Sequence, residues 1–486
     1  MKKLKEILYK VSIEGISGST DVAVSNVAMD SRKVKKDGLY VAIKGSLTDG
    51  HGYIDQAIEA GANSIICEGL PENLKPGITY IKVNDSRASL GWVASNFYDN
   101  PSNQLKLVGI TGTNGKTSVA TLLFDLFNFE APQAGLISTL SIKYGEFAYE
   151  ASHTTPDPLT LNKHLNAMIE EGMAYCFMEV SSHGIHQKRI TGLSFAGAVF
   201  TNLTHDHLDY HHTFKSYRDT KKILFDSLSN EAFALINVDD KNGKVMIQNC
   251  NAKLHTYALH RYAEFSAQVL ESQFKGMLLK INHNEIWTQL LGEFNAYNIL
   301  AVFATAKLLG KEEWESLKSI SRLKGAPGRF QTFENPDKVV VVVDYAHTPD
   351  ALKNVLHTIN KIRTQNESLI TVVGCGGDRD QQKRPIMGGI AAQLSSKVLF
   401  TSDNPRNEDP EMIIEQMNEG VDPVDFKKTM NVTQRKEAIK VAYQLAQPGD
   451  VVLIAGKGHE NYQEIKGKRI PFDDYEIAKA IFFKTE

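Results

Sequence analysis

The feature that most constrains the fold of this chain is a short apolar stretch that runs into a glycine-rich loop and then into a helical pattern. Residues 105–110 form the predicted strand, Gly112-Thr113-Asn114-Gly115-Lys116-Thr117 the loop, and residues 117–127 the helix. Glycines in such a loop let backbone N–H groups approach phosphate oxygens, and the helix N-terminus adds its positive dipole end. Lys116 can then reach the β- and γ-phosphates of a nucleotide, and the Thr117 hydroxyl can ligate Mg²⁺.

This loop is a shorter variant of the common phosphate-binding pattern, because Ile110 stands where that pattern has its first glycine. The alternative is a glycine-rich turn with an exposed lysine. Strand, loop and helix follow one another in the order that phosphate binding needs, so the sequence favours a nucleotide site.

Strands that alternate with helical stretches predict an α/β protein with mostly parallel sheets and helices on both faces. A length of 486 residues fits about three domains. Polar turn clusters at residues 99–103 and 334–337 suggest the boundaries. We predict domains at residues 1–103, 104–334 and 335–486, the first being the smallest.

In the third segment, four predicted strands each end in a polar loop that contains Gly or Asp. The strands cover residues 339–344, 369–374, 397–402 and 451–455, and the loops cover 344–347, 374–380, 403–406 and 456–460. Ligands of open α/β sheets bind at the carboxyl ends of the strands. The four loops therefore predict one assembled site.

Two strand ends in the second segment carry candidate metal ligands. Glu179 closes a predicted strand at 174–180, and His207 follows one at 196–203. Mg²⁺ prefers oxygen ligands, so Glu179 is a natural candidate and His207 a less usual one, whereas His205-Asp206-His207 could instead indicate zinc. A further alternative is that these histidines only cap a loop. In the helical stretch 215–226, Lys221 and Lys222 have the pattern of surface charges.

Composition argues against several other classes. Lys and Arg total 54 against 57 Asp and Glu, so the formal net charge of −3 gives no basic footprint for nucleic acid or anionic membranes. No apolar run approaches the ~20 residues of a spanning helix, and Glu6, Tyr9 and Lys10 interrupt any signal-peptide core. The 4 cysteines are far apart in sequence, which predicts reduced thiols in a cytoplasmic protein.

Four motifs, in their order along the chain, resemble those of the Mur ligases of peptidoglycan synthesis. They are the loop at 112–117, Glu179-Val180-Ser181-Ser182-His183-Gly184, the stretch at 202–211, and Asp344-Tyr345-Ala346-His347-Thr348-Pro349. The resemblance covers essentially the whole chain and is greatest to members that add the third residue of the peptide. It implies that residues 1–103 bind the UDP end of the substrate, 104–334 bind ATP, and a Rossmann-like domain at 335–486 binds the amino acid.

The resemblance also implies a reaction. An ATP-dependent ligase would phosphorylate the γ-carboxylate of UDP-N-acetylmuramoyl-L-alanyl-D-glutamate, and the amine of meso-2,6-diaminopimelate would attack the acyl phosphate. A carboxylate is a poor acyl donor until one oxygen becomes a good leaving group, so the protein contributes positioning and charge stabilisation. The expected partners are these small molecules, without nucleic acid or membrane insertion, and the chain is expected to be a monomer.

On the nucleotide side, the resemblance implies that Lys116 contacts the phosphates and that Thr117, Glu179 and His207 serve Mg²⁺ sites. The carbamylated lysine of the family falls at Lys221. A CO₂-derived carbamate would turn this cation into an anion that helps hold a second Mg²⁺.

Further positions follow from the same resemblance. Asn295, Arg329 and Asp344 match nucleotide positions, with Arg329 on the transferring phosphate and Asp344 on the ribose hydroxyls. The positions that match those binding the UDP-muramoyl dipeptide are Ser31, Thr154, Thr155, Ser181, Gln187 and Arg189. From the residues alone, 30–32 could equally be a turn and 154–155 a helix cap.

The sequence Asp403-Asn404-Pro405-Arg406 is the most informative about the amino-acid substrate. Diaminopimelate differs from lysine by a carboxylate at its far end, and a guanidinium binds a carboxylate through two parallel hydrogen bonds. The resemblance assigns this role to Arg406. The alternative is an ordinary Asn-Pro turn whose arginine is exposed to solvent and binds no substrate. The other residues that the resemblance places in this pocket are Arg379, Asp403, Asn404, Gly456 and Glu460.

Two other functions stay open. One is another ATP-dependent carboxylate–amine ligase, such as a different Mur ligase or a folylpolyglutamate synthase, against which the loops at 403–406 and 456–460 argue. The other is a regulatory nucleotide-binding protein, which would not need Glu179, His207 and a modified lysine together.

Overall fold

The computed structural model describes residues 1–45, 48–364 and 366–484. Three large sheets follow one another along the chain. We propose that each sheet is the core of one domain, as the predicted division at residues 103/104 and 334/335 implies.

The N-terminal sheet is mixed, with parallel pairs throughout except at one edge. Its segment contains β1 Lys2–Lys3, α1 Leu4–Ile7, β2 Ile13–Ser17, β3 Ala23–Val24, β4 Val27–Ala28, β5 Gly38–Val41, α2 Ile54–Glu59, β6 Ala62–Cys67, β7 Thr79–Val83 and α3 Ser86–Phe97. The strand order is β2-β7-β6-β5-β4, and only β2 is antiparallel to its neighbour. The short strands β1 and β3 form a separate antiparallel pair.

The central sheet has eleven strands. The elements of this segment are β8 Lys106–Thr111, α4 Lys116–Phe127, β9 Ala134–Ile137, β10 Ser141–Tyr144, β11 Phe147–Glu150, α5 Pro158–Glu170, β12 Tyr175–Glu179, α6 Ser182–His186, β13 Gly197–Phe200, α7 Leu208–His211, α8 Phe214–Asp226, β14 Phe233–Asn237, α9 Gly243–Met246, β15 Lys253–Ala258, β16 Phe265–Gln273, β17 Gly276–Ile281, β18 Asn284–Thr288, α10 Glu293–Leu308 and α11 Glu313–Ile320. The strand order is β11-β10-β9-β12-β8-β13-β14-β15-β16-β17-β18. The seven strands from β9 to β16 in this order are parallel, and antiparallel hairpins extend both edges.

Helices cover both faces of the central sheet, as predicted. Val108 and Ile110 of β8 point to one face, into a core with residues of α4 and α10. Leu107 points to the other face, into a core with residues of α5 and α8. Because side chains alternate along a strand, a strand buried on both faces has to be apolar almost throughout. This explains why the apolar run at 105–110 was visible in the sequence.

The C-terminal sheet has six strands, parallel except at one edge. The elements of this segment are β19 Gln331–Glu334, β20 Val340–Asp344, α12 Pro349–Ile362, β21 Leu369–Val373, α13 Lys383–Leu394, β22 Lys397–Phe400, α14 Pro410–Asn418, β23 Thr429–Asn431, α15 Arg435–Leu445, β24 Val451–Ala455, β25 Tyr462–Ile465, β26 Lys468–Pro471 and α16 Asp474–Phe482. The order is β19-β20-β24-β21-β22-β23. Strand β19 pairs with β20, so the sheet begins on the N-terminal side of the predicted boundary at 334/335.

Two further findings concern membrane-spanning helices and the cysteines, both of which were considered in the sequence analysis. Among the described residues, no helix combines the length and the apolar character that crossing a membrane requires. The cysteines are all free thiols, and Cys67, Cys176 and Cys375 are buried while Cys250 is partly exposed.

Candidate active site

The glycine-rich loop connects β8 to α4 in the conformation that an anion-binding loop needs. Gly115, which precedes the helix, has a φ of +88°, and a Cβ there would lie 2.6 Å from Oδ1 of Asn298. Only glycine fits such a position without strain. The ammonium of Lys116 folds back over the loop and donates to the carbonyl oxygens of Gly112 at 3.0 Å and Thr113 at 2.9 Å. The loop therefore gathers positive charge at the helix N-terminus.

The carboxylate of Glu179 lies next to the first turn of this helix. Strands β8 and β12 are parallel neighbours with Ile110 opposite Glu179, so their ends meet at the same edge. The Thr117 hydroxyl donates to Oε2 of Glu179 at 3.0 Å, and the backbone N–H of Thr139 donates to Oε1 at 2.8 Å. Glu179 is fully buried. A buried carboxylate paired with a hydroxyl offers two oxygen ligands to a hard cation.

His207 lies at the start of α7 with a φ of +54°, and its ring is 4.9 Å from that of His183. Burial lowers the pKa of both imidazoles to about 4. Both rings are therefore neutral near pH 7, and a neutral imidazole is the form that ligates a metal. Asp206 lies beside His207, with 3.4 Å between Oδ2 and Nε2.

Lys221 and Lys222 are buried, so their interpretation as surface charges is wrong. Their exposed fractions are 1% and 8%. In α8, Tyr217, Lys221 and Leu224 share one helix face at i, i+4 and i+7, and this face is buried. Lys222 forms an ion pair with Asp226 one turn later. The sequence pattern did not show this because the same helix also exposes lysine and aspartate on its outer face.

Lys221 of α8 contacts the glycine-rich loop directly. Its Nζ donates to the carbonyl oxygen of Gly112 at 2.8 Å and lies 4.9 Å from the ring centre of Tyr217. Burial and the nearby charge of Lys116 hold the pKa of Lys221 well below its usual range. The structure therefore brings the predicted modification site to the nucleotide loop.

Arg329 approaches the same place from the segment before β19. Its Nη2 lies 3.4 Å from the Thr117 hydroxyl, and its guanidinium lies 4.5 Å from the ring centre of Tyr345. Within the described residues, the buried Nε of Arg329 has no hydrogen-bond partner. A buried donor without an acceptor is costly unless a ligand supplies one, so this position fits an anionic group such as a phosphate.

Asp344 and Asn295 are already engaged in internal hydrogen bonds. Oδ2 of Asp344 accepts from the backbone N–H of Phe330 at 2.7 Å, and burial raises the pKa of this carboxyl to about 6. Nδ2 of Asn295 donates to the carbonyl oxygen of Leu291 at 2.8 Å, and its Oδ1 accepts from Asn298 at 3.0 Å. Their roles toward a nucleotide stay predictions.

A cavity of about 500 Å³ lies where the loops of the central and C-terminal sheets meet. It brings together many of the predicted residues, namely Thr154, His207, Arg379, Asp403, Asn404, Arg406, Gly456 and Glu460. The predicted convergence of the polar loops of the third segment is therefore observed.

The cavity also contains polar residues to which the sequence assigned no role. They include His183, Tyr345, His347, Thr348 and Lys383. Four of these lie in the quoted motifs, so their position after a strand end was an available signal. Lys383 begins α13, and nothing in its sequence context indicated that it would face the same cavity.

Within the C-terminal loops, Arg406 and Glu460 are oriented by neighbours. Nη1 of Arg406 donates to the carbonyl oxygen of Gly377 at 2.7 Å. Nδ2 of Asn404 donates to Oε2 of Glu460 at 2.7 Å. Burial, together with the negative charge of Asp403, raises the pKa of Glu460. The pocket thus combines a guanidinium with two carboxylates, which suits a ligand that carries both charges.

The remaining predicted substrate residues do not line this cavity. Thr155 donates to the carbonyl oxygen of Glu179 at 2.9 Å, and Ser181 caps α6. Arg189 donates to the carbonyl oxygen of Thr155 at 2.6 Å and to Oε1 of Gln187 at 2.7 Å. These four residues form one network beside β12. Ser31 lies apart from it in the N-terminal segment, where its hydroxyl donates to Gln56 at 2.8 Å.

The side chains present fit magnesium held together with other ligands. In the described parts of the chain, no three His, Cys, Asp or Glu side chains are placed to hold a metal ion by themselves. Magnesium in proteins usually keeps several waters and uses one or two carboxylates with substrate phosphates. The buried pair of Glu179 and Thr117 beside a phosphate-binding loop has this composition.

The fold and the loop at 112–117 indicate a nucleotide-dependent enzyme, and comparisons with known proteins agree. Family models described as Mur ligase middle domain, Mur ligase glutamate ligase domain and Mur ligase family catalytic domain match residues 110–306, 328–458 and 23–98. The chain belongs to the Mur ligase family and is an ATP-dependent ligase.

Similar proteins are more specific in name. Over 480 residues the chain is 51% identical to the UDP-N-acetylmuramoyl-L-alanyl-D-glutamate–2,6-diaminopimelate ligase of Cytophaga hutchinsonii, covering 99% of each chain. It is 52% identical over 483 residues to the ligase of the same name from Bacteroides fragilis, covering 99% of this chain and 100% of that one. A solved structure of a ligase with this name superimposes with a TM-score of 0.71 at 32% identity, covering 99% and 98% of the two chains.

Proposed function

We propose that the protein joins meso-2,6-diaminopimelate to the γ-carboxylate of UDP-N-acetylmuramoyl-L-alanyl-D-glutamate, with ATP converted to ADP and phosphate. The observation that carries this proposal is the cavity that Arg406, Asp403 and Glu460 line together with His207 of the central segment. Relatives at about half identity that are named for this reaction support it. We further propose that the enzyme works in peptidoglycan synthesis in the cytoplasm, as a monomer.

The nucleotide is proposed to bind with its phosphates on the 112–117 loop. Lys116 and Arg329 would contact phosphate oxygens, Asp344 the ribose hydroxyls, and Asn295 the nucleotide as well. Thr117, Glu179, His207 and a carbamate on Lys221 would hold Mg²⁺, which neutralises phosphate charge when bound. The neutral amine that burial favours at Lys221 is the form that adds CO₂.

The acid substrate is proposed to run from the N-terminal segment to the phosphate loop. Ser31 would contact the UDP end, and the network of Thr155, Ser181, Gln187 and Arg189, with Thr154, the muramoyl dipeptide. A γ-carboxylate oxygen then attacks the γ-phosphorus, and ADP leaves. Arg329 stabilises the charge on the transferring group, since its guanidinium is permanently protonated.

In the second half of the reaction, the amine attacks the carbonyl carbon of the acyl phosphate, loses a proton, and phosphate leaves. Arg406 would bind the distal carboxylate of diaminopimelate, and Asp403, Asn404 and Glu460 its ammonium. Lysine lacks this carboxylate, so its binding would leave the guanidinium of Arg406 with the long 3.6 Å contact to the carboxylate of Glu464 as its ion pair, at a cost on the order of 3 kcal/mol. Arg379 and Gly456 complete the lining.

An amino-acid panel tests the proposal. Purified enzyme with UDP-muramoyl dipeptide and ATP–Mg²⁺ should release ADP with meso-diaminopimelate at least about 100-fold faster than with lysine, ornithine or glutamate. Release that needs no amino acid would indicate a nucleotide-binding protein without ligase turnover. Preference for another amine would identify a different ligase of the family.

A further inference from the structure

Lys457 is a fully buried cation directly behind the amino-acid pocket. Its exposed fraction is 0%, and its Nζ lies 3.1 Å from Oε2 of Glu460 and 3.1 Å from Oδ1 of Asn404. Both partners line the cavity, whereas Lys457 is not among the residues that line it. A buried ammonium needs such partners. Lys457 therefore acts on the pocket through the side chains that it contacts, chiefly Glu460 and Asn404.

The hydrogen bonds fix which atoms remain for a ligand. Oδ1 of Asn404 accepts from Lys457 and also from the backbone N–H of Glu464 at 2.9 Å, so Nδ2 must point at Glu460, to whose Oε2 it donates. Oε2 of Glu460 is thus occupied by two donors. Among the described residues, the contact of its Oε1 is limited to a long one of 3.5 Å with the hydroxyl of Tyr345. Oε1 is the oxygen that remains for an incoming ammonium.

We propose that Lys457 is a positioning residue of the amino-acid pocket, which keeps Glu460 ionised and turns its Oε1 toward the ammonium of the amino acid. This inference rests on the proposed function, because it concerns the same pocket. It goes further in assigning a role to a side chain that does not reach the cavity.

The negative charge of Asp403 beside Glu460 explains why Glu460 needs a nearby cation to stay ionised. Burial and the charge of Asp403 raise the pKa of Glu460, and Lys457 opposes both effects. Without Lys457 the carboxyl would stay protonated to higher pH, and a protonated carboxyl attracts an ammonium only weakly. The titratable groups that face Glu460 from other elements are Asp403 after β22, Tyr345 after β20, Arg435 in α15 and Tyr462 in β25.

The test compares Lys457→Met with wild-type enzyme in steady-state kinetics. We expect the KM for diaminopimelate to rise about tenfold or more, while the KM for ATP stays within about twofold. The raised KM should fall as the pH increases, because a higher pH favours the ionised form of Glu460. Lys457→Arg should restore most of the wild-type KM, because it keeps the charge. Lys440→Met removes an exposed cation from α15 and should change neither constant.

A wild-type KM for diaminopimelate in Lys457→Met would overturn the inference. An equal rise of the KM values for all three substrates would also overturn it, because it would indicate a general disturbance of the structure. If the Met variant does not fold, Lys457→Gln decides the question, because it keeps hydrogen-bonding capacity but not charge. Lys457→Gln is expected to raise the KM for diaminopimelate in the same pH-dependent way. A KM equal to that of the wild type at every pH would overturn the proposal. Absence of diaminopimelate-dependent ADP release in the wild type would instead contradict the proposed function.

Discussion

At the scale of single residues, Lys116 and Lys221 donate hydrogen bonds to the same carbonyl oxygen, that of Gly112. Two ammonium groups that share one acceptor in a buried place repel each other, which favours the neutral form of Lys221. A carbamate on that amine would replace repulsion by attraction to Lys116. The contact with the phosphate loop thus gives a physical reason for the proposed modification.

Replacing Lys221 with Ala should lower kcat by about 100-fold or more, because an anion beside the transferring phosphate is lost. High concentrations of acetate should restore part of the activity, because a small carboxylate can occupy the space. Lys222→Ala is the matched control, since Lys222 pairs with Asp226 outside the site, and it should retain kcat. Absence of any acetate effect on folded Lys221→Ala would count against a carbamate.

Replacing Arg406 with Ala should lower kcat/KM for diaminopimelate by about 100-fold, because a carboxylate loses a charged two-bond partner. The dissociation constant of ADP, measured by calorimetry, should stay within about twofold. Arg406→Lys should recover only part of the loss, since an ammonium cannot donate two parallel bonds. Wild-type efficiency of the Ala variant with diaminopimelate would show that the pocket is assigned wrongly.

Asp344 gives a prediction for the pH dependence of stability. Burial raises the pKa of its carboxyl from 3.8 to about 6. Ionisation in the folded state is therefore penalised: the cost is absent below pH 3.8, grows up to about pH 6 and is constant above it. Asp344→Asn keeps an acceptor for the N–H of Phe330 and should raise stability by up to about 3 kcal/mol at neutral pH.

Chemical or thermal unfolding of Asp344→Asn and wild type over a pH series measures this difference. It should stay constant from about pH 7.5 down to about pH 6 and shrink from there to about pH 4, where the wild-type carboxyl is protonated and both side chains are neutral. A stability difference that does not change over this range would contradict the burial of an ionised Asp344.

At the scale of elements, two loops approach so closely that only glycine fits between them. Gly328 has a φ of +65°, and a Cβ there would lie 2.1 Å from the backbone N of His459 and 2.2 Å from the carbonyl carbon of Gly458. The segment that carries Arg329 is therefore packed directly on the 456–460 loop of the amino-acid pocket. This contact joins the segment that we propose to bind the transferring phosphate to the loop that we propose to bind the amine.

Gly328→Ala should destabilise the protein by at least about 2 kcal/mol more than Gly310→Ala. Gly310 has a similar φ of +89° but open space around its Cβ position, so its variant costs only backbone strain of about 1 kcal/mol. Thermal unfolding measures the loss of stability in each variant, and the KM for diaminopimelate measures whether the loop at 456–460 has moved. Equal destabilisation by both substitutions would contradict the close loop contact.

Elements could be predicted from the sequence where their burial produces a continuous run of apolar residues. Strands such as β8 and β24 are buried on both faces, so their apolar runs located them within two residues. The antiparallel strands β10 and β11 near one sheet edge were not found, because β10 is only partly buried, β11 is exposed, and both have mixed polarity. The polar loops that follow strand ends were predicted, and the loop at 456–460 contains Lys457. The burial of Lys457 behind Glu460 and the approach of Lys383 to the cavity were not predicted, because both depend on how separate loops pack.

At the scale of the whole molecule, the nucleotide loop and the amino-acid pocket belong to different sheets, and the cavity between them is where the substrates would meet. Direct contacts join the two sides, such as the 3.2 Å hydrogen bond from Asn114 of the loop to Asp350 at the start of α12. This arrangement suits a reaction with two successive steps at one carbonyl carbon. An activated acid formed on one side can be attacked from the other.

The most direct test of this activation follows oxygen atoms from the acid substrate. UDP-muramoyl dipeptide labelled with ¹⁸O in the γ-carboxylate of its glutamyl residue is incubated with enzyme, ATP–Mg²⁺ and diaminopimelate, and the phosphate is analysed by mass spectrometry. Phosphorylation of the carboxylate predicts one ¹⁸O atom in each phosphate released. Amide product formed with unlabelled phosphate would contradict the acyl phosphate and with it the proposed mechanism.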